Sequence, residues 1–287
     1  MTLPQSKPIH RRWFNPSIAR YMEAFTTTRG IAALTAIILI SALAFLAPVI
    51  FPGGYDMQSR ESLRAPSLMH FFGTDELGRD LFVRSIYGLR SDLALVYCAV
   101  PVSMVAGTLL GLIGAVSPRL GSFVQRCLDI IVGFPGLILG ICVVLVLGAG
   151  WTALLVAIVI SGLPGFGRLA RATLLTQQQR EYVIAARTLG IGKWQIMVRH
   201  ILPNAIDPII VQGAVFVVSA IFIEAALSIV GLGLQPPEPS LGTLLNNGMR
   251  YISRAPTYVL GPTVILIIVA LAFSMLADAL NATVNRK

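Results

Sequence analysis

Side chains able to do chemistry are few and scattered in this 287-residue chain, of which 55% is hydrophobic and only 12% charged. His10, His70 and His200 stand far apart, and Cys98, Cys127 and Cys142 lie in or beside apolar runs without the spacing of a metal knuckle or a redox pair. Those cysteines read as packing residues, and no metal site is expected. Nucleotide binding needs a glycine-rich loop ending in Gly-Lys-Ser/Thr, because backbone N–H groups and a lysine must converge on phosphates. The Gly-Lys pair here, Gly192-Lys193, is followed by Trp194, and Arg187 occupies the place of the leading glycine. Serine-hydrolase elbows and zinc-protease helices are missing as well. The acids of GTDELGRD, Gly73 to Asp80, lack the alternating order of a calcium loop. The chain is therefore not expected to be an enzyme, and no catalytic residue is assigned to it.

Two features remain. Glu224 sits inside an apolar run, where an ionisable group is expensive unless it meets protein or water. It is either a residue of a translocation pathway or a carboxyl hydrogen-bonded to a neighbouring helix. The second feature is the polar and basic stretch Glu181 to Asn204, EYVIAARTLGIGKWQIMVRHILPN, set between apolar runs. Tyr182, Ala185, Ala186 and Leu189 recur at i, i+3, i+4 and i+7, and Trp194, Met197, Val198 and Ile201 repeat that spacing. The pattern predicts two short amphipathic helices. Gly190 and Gly192 supply the free φ of a turn between them, and Pro203 is expected to end the second. A DNA-reading helix-turn-helix would need a third helix and room to reach a groove, so nucleic acid is not an expected partner. A solvated loop would not need two apolar stripes. A docking element for another protein fits better: alanines at 185 and 186 leave the backbone bare, while Tyr182 and Leu189 offer a groove something apolar to hold.

What must position this stretch is a membrane domain. A charged share of 12% is about half that of a soluble chain. Six runs are long and apolar enough to cross a bilayer, at 31–50, 92–116, 127–148, 151–167, 206–231 and 257–280. The expected fold class is all-α, a polytopic membrane protein in which residues 1–30 form an N-terminal arm and 31–287 the transmembrane domain. The first run is too long for a signal-peptide core and no small-residue cleavage site follows it, so it is a retained span. Fifteen of the 22 lysines and arginines fall on the side shared by both termini and residues 168–205, while the other seven are matched by seven acids. That asymmetry places the N-terminus, the C-terminus and the docking stretch in the cytoplasm. Gly107, Gly111 and Gly114 form a small-residue ridge for close helix contact, and Pro135 predicts a kink.

Local pairings follow. The outer segment, about 51–91, is too polar to cross. Thr74 or Asp75 is expected to cap an amphipathic helix lying at the outer interface, with Leu77, Leu81, Ser85 or Ile86, and Leu89 on one side and an Asp80–Arg84 pair on the other. Arg126 and Asp129, one turn apart, are expected to pair. One helix from 168 to 189 would lift the docking stretch roughly 30 Å, and Asp207 with Pro208 should begin the fifth span.

The docking stretch resembles the EAA loop of ATP-binding-cassette (ABC) importer permeases, whose pattern is Glu-Ala-Ala, three residues, Gly, nine residues, Ile-x-Leu-Pro. Ala185, Ala186, Gly190, Leu202 and Pro203 fall on it, with Ile184 in place of its Glu and His200 in place of its Ile. Glu181 ahead of Tyr-Val-x-Ala-Ala-Arg is similar to the dipeptide/oligopeptide/nickel permease branch. So are GTDELGRD followed by Tyr87-Gly88-x-Arg90-Ser91, and EAALSIVGLGLQPPEPSLG from Glu224 to Gly242, with Ile229-Val230 where Phe-Leu is usual and Leu241 where Trp is usual. The resemblance covers nearly all of the chain beyond the arm. It implies a type I importer permease fold and a six-span, C-type subunit of a bacterial inner membrane, forming half of a pore for short peptides or similar small solutes. Implied partners are a second homologous permease, two cytoplasmic ATP-binding subunits that hold ATP and Mg, and a periplasmic substrate-binding protein; the chain itself carries no cofactor. By the same resemblance, coupling to the ATPases falls to Glu181, Tyr182, Ala185, Ala186, Arg187, Leu189, Gly190 and Pro203. The rival expectation is an ion- or proton-coupled secondary transporter working through Glu224.

Overall fold

A computed structural model describes residues 24–116 and 118–284. The expected arm up to residue 23, Arg286, Lys287 and the surroundings of Gly114 and of the Trp194, Val198 and His200 side chains lie outside the described residues. The regular structure of the described residues is helix, with a single β-bridge between Thr74 and Asp80. In chain order they form α1 (Thr28–Phe45), α2 (Leu81–Val116), α3 (Pro118–Gly133), α4 (Gly136–Leu147), α5 (Trp151–Gln178), α6 (Glu181–Thr188), α7 (Leu202–Ile229), α8 (Leu241–Met249) and α9 (Thr257–Val284). Five of these, α1, α2, α5, α7 and α9, are long and apolar enough to cross a membrane. The remaining expected span, at 127–148, is a broken unit: α3 and α4 meet at 98°. The break falls where Pro135, which has no N–H to donate, begins α4.

The core is built on α2 and α5, which run parallel and nearly backbone to backbone. An added Cβ at Gly107 would lie 2.8 Å from Phe166 Cβ, and one at Gly111 2.9 Å from Ala170 Cβ, so only glycine admits this approach. Ser103 Oγ donates to Val159 O at 3.0 Å across the same seam. Phe166 then meets Phe216 of α7 edge to face at 5.5 Å, which brings the fifth span into the core. The first span is capped by Thr27, whose Oγ1 accepts from Gly30 N, and it is fastened to the bundle through Ser41 and Tyr97, 2.8 Å apart.

Several local expectations change. The second span does not begin at 92 after a separate interfacial helix: α2 starts at Leu81 and runs through without interruption. Its cap is Asp80, whose Oδ1 accepts from Val83 N at 2.9 Å and whose Oδ2 faces His70 Nδ1 at 2.6 Å, so Asp80 does not pair with Arg84. Arg84 instead turns back to Tyr55 O and Asp75. Asp129 pairs with Arg168 at 2.6 Å and with Gln125, not with Arg126, because α5 delivers a guanidinium from the side while Gln125 takes the position one turn away. The helix expected over 168–189 is broken at Gln179 and Arg180, where an extended Arg180 (ψ 145°) starts α6 afresh. Asp207 and Pro208 lie inside α7, which begins at Leu202.

Candidate functional site

Residues 181–204 form a compact unit at the end of the bundle where α5 finishes and α7 begins. Leu174, Val183, Ala186, Ile196, Met197 and Ile201 make a small apolar core of their own, with Leu112 and Ile191 packed against it. This core seats α6 on the ends of α2 and α5. The helix stops because Gly190 adopts φ +76°, a conformation that side chains with a Cβ resist. Gly190 N donates to Arg187 O at 3.0 Å and Ile191 N to Ala186 O at 3.2 Å, the paired bonds of a Schellman stop, with Ile191 closing on the core beneath. The turn expected at Gly190 is present. Glu181 lies in the first turn of α6 and Arg187 in the last, each complementing the charge of its end of the helix dipole.

The expected stripe divides between two faces. Val183 and Ala186 (6% exposed) point into the core, so Ala186 is a seat for the helix and not a bare patch for a partner. Tyr182, Ile184 and Leu189 point away, Leu189 with 80% of its surface free, and Ala185 and Arg187 share that outer face. Tyr182 Oη donates to Gln177 Oε1 at 2.7 Å, tying the outer face to the end of α5. Ile184, which replaces the acid of the EAA pattern, therefore belongs to the exposed apolar face. Pro203 does not end a second helix. A short helical turn at 193–196 passes into a π-helical turn, Met197–Ile201, and from there directly into α7, with Pro203 in its first turn. A proline removes one N–H from the ladder, and the wider turn just ahead absorbs that gap.

Glu224 lies at the other end of α7 and is 1% exposed. Its Oε1 accepts from Ser228 Oγ at 2.6 Å, and Ser240 Oγ approaches Ser228 Oγ at 3.4 Å. Close by is a second buried acid, Asp92 of α2, 3% exposed, whose Oδ2 accepts from Leu241 N at 3.0 Å. Sequence reasoning counted Asp92 only as one acid among seven; its signal was its place, immediately ahead of the run Leu93 to Val100. Ser228 is one turn on in α7 itself and Ser240 stands just ahead of α8, so Glu224 lies inside this chain between α2, α7 and α8, beside a hydroxyl of its own helix.

The loop ahead of α2 is held by the GTDELGRD acids. Asp75 is fully buried: its Oδ1 accepts from Leu77 N and Arg79 N, both at 2.9 Å, and its Oδ2 from Arg79 Nε at 2.6 Å. Arg79 Nη1 also donates to Asp56 at 2.9 Å, and Tyr258 Oη of α9 donates to Glu76 Oε2 at 2.8 Å. Burial works against the Arg79 charge, but the hydrogen bonds to Asp56 and Asp75 outweigh it and raise the guanidinium above its ordinary value. The string thus organises a loop, in place of the capped interfacial helix expected of it. Among the described residues no three of His, Cys, Asp and Glu gather as a metal site would require.

Comparison with known proteins bears on the whole chain. Residues 107–287 match the family model of the binding-protein-dependent transport system inner membrane component. The dipeptide transport system permease protein DppC of Alkalihalophilus pseudofirmus is 35% identical over 99% of this chain and 95% of its own length. The glutathione transport system permease protein GsiD of Pectobacterium atrosepticum is 35% identical over 90% of this chain and 87% of its own. Among solved structures, an inward-facing form of the MetNI methionine ABC transporter shares the fold with a TM-score of 0.59 at 21% identity, covering 72% of this chain and 97% of that one. The ion-coupled alternative gains nothing from these likenesses. With a helical membrane bundle, an exposed short helix stopped by Gly190 and relatives that match it nearly end to end, the chain belongs to the family of inner-membrane permease components of binding-protein-dependent ABC transport systems.

Proposed function

We propose that this subunit pairs with a second permease to form a pore for short peptides, and that the exposed face of α6 is where two cytoplasmic ATP-binding subunits take hold. The single observation that carries the coupling role is the geometry of α6: an eight-residue helix anchored by Val183 and Ala186 while Ile184, Ala185 and Leu189 remain uncovered. An isolated helix of that length is not stable in water, so its seat is what presents the face to a partner. Peptides are the favoured cargo because the relatives named above carry dipeptide and glutathione transport in their names. A periplasmic binding protein would deliver the solute, and ATP with Mg would be held by the partner subunits. Both termini and α6 then lie in the cytoplasm, and residues 51–80 and α8 on the outer side, as the lysine and arginine distribution requires.

In this reading ATP-driven closure of the ATPases moves α6, and α7 carries the movement. The helical run from 193 to 229 has no loop in it and measures roughly 55 Å at about 1.5 Å per residue, enough to pass from the docking core to the outer side. The test is site-specific crosslinking in the assembled transporter. Cysteine at Leu189 should capture an ATP-binding subunit and cysteine at Ala186 should not, in vesicles that show ATP-dependent peptide uptake. Labelling of a cysteine at 189 from the periplasmic side, or capture at neither position, would end the reading.

A further inference from the structure

A chain of buried polar groups runs from α2 through the start of α8 to α7, and the docking segment makes no use of it. Asp92 Oδ1 and Glu224 Oε2 have no hydrogen-bond partner among the described residues, although both side chains are almost completely buried. Apolar side chains of the same size would fill that space with less desolvation. What the acids supply is attachment. The first N–H groups of a helix have no partner within it. At α8, Ser240 Oγ accepts from Thr243 N at 3.1 Å, and Asp92 Oδ2 accepts from Leu241 N across 149 residues of sequence. Around this cap the backbones themselves touch: a Cβ on Gly88 would lie 2.9 Å from Ser240 C, and one on Gly242 2.9 Å from Ala225 Cα. Ser240 reaches Ser228, which donates to Glu224, and Asn246 Nδ2 donates to Ile229 O at the end of α7. The short helix is thus held by α2 on one side and α7 on the other.

We propose that Asp92 is a positioning residue which, together with Glu224, locks the outer ends of α2, α7 and α8 into one block, so that the outer mouth opens between this block and other subunits and not within it. The proposal rests on the importer reading above. A displacement at α6 travels up α7 to Glu224 along one uninterrupted helix, and the block turns whole.

Two measurements on the reconstituted transporter test this. Asp92→Asn keeps an acceptor for Leu241 N and should retain uptake within about twofold, whereas Asp92→Ala leaves that N–H unsatisfied and should lower uptake per complex by about tenfold or more. Across the same variants ATP hydrolysis should fall far less, so that ATP consumed per solute rises in Asp92→Ala; a complex that merely folds poorly loses both activities together. The second measurement fixes the block covalently. Ser91 of α2 and Glu238, just ahead of α8, line one cavity. With Cys98, Cys127 and Cys142 replaced, a short bismaleimide bridging Ser91→Cys to Glu238→Cys should leave uptake intact. Loss of uptake on bridging overturns the proposal, as does an unchanged ATP-to-solute ratio in an Asp92→Ala complex that transports poorly, or parental uptake by it. If Asp92→Ala does not reach the membrane, the bridged pair decides alone. A parent complex without ATP-dependent uptake would instead sink the importer reading, and this proposal with it.

Discussion

Replacing Gly190 isolates the conformational requirement of the docking helix from everything around it. Its φ of +76° lies in the left-handed region, and a Cβ built there meets nothing within 4 Å, so any effect of substitution comes from the backbone alone. A left-handed residue with a Cβ costs about 1–2 kcal/mol, which shifts the balance between the stopped, seated α6 and a frayed one by roughly 5–30-fold. Asparagine tolerates that region and should stay near the parent; alanine should be intermediate; valine, branched at Cβ, should be worst. The order Gly, Asn, Ala, Val should appear in ATP-dependent uptake by proteoliposomes, with equal amounts of permease in each preparation. Thermal unfolding of the whole subunit should hardly move, because the site is exposed. An asparagine variant as impaired as the valine one, or a valine variant as active as the parent, would show that the left-handed stop is not what docking depends on.

Other outcomes follow from the same geometry. Leu189→Asp should abolish capture of the ATPase and ATP-driven uptake while leaving the melting temperature in detergent unchanged, since the side chain touches little of its own chain. Asp75→Ala should destabilise the outer loop by about 3–5 kcal/mol, because it leaves the Arg79 charge half-paired; limited proteolysis between residues 51 and 80 would read this as faster cleavage. Gly107→Leu should cost about 1–3 kcal/mol by forcing α2 from α5, lowering the melting temperature and the amount in the membrane. Arg168→Gln removes only a half-exposed pair with Asp129, and its melting curve should overlay the parent's.

The spans were legible because their signal is local: each run of apolar residues declares a length, and Pro135 declares where one of them must bend. The docking stretch was legible by position and turn but not by face. Its eight-residue helix with the cap that follows is apolar on both sides, Val183 and Ala186 inward and Ile184 and Leu189 outward, and periodicity cannot say which side meets its own chain. Pairings across the fold were beyond reach for a different reason. Arg126 stood one turn from Asp129 in sequence, yet Arg168 won because α5 passes alongside; likewise nothing near Asp92 in the chain hints that its partner is Leu241. The start of α2 was misplaced because Leu81 to Arg90 carries enough polar residues to resemble a surface segment, when the loop ahead of it supplies their partners.

The π-helical turn at 197–201 holds about one residue more than an α-helix of the same rise, so the helical run already carries the equivalent of an insertion there. Deleting one residue inside it should let the stretch close as ordinary α-helix with both flanks almost where they were, whereas deleting one from α7 beyond it would turn everything ahead by about 100° and draw it in by about 1.5 Å. Engineered hybrids between such permeases that differ in length by one residue should therefore be joined at this turn, where residues 181–189 keep their direction.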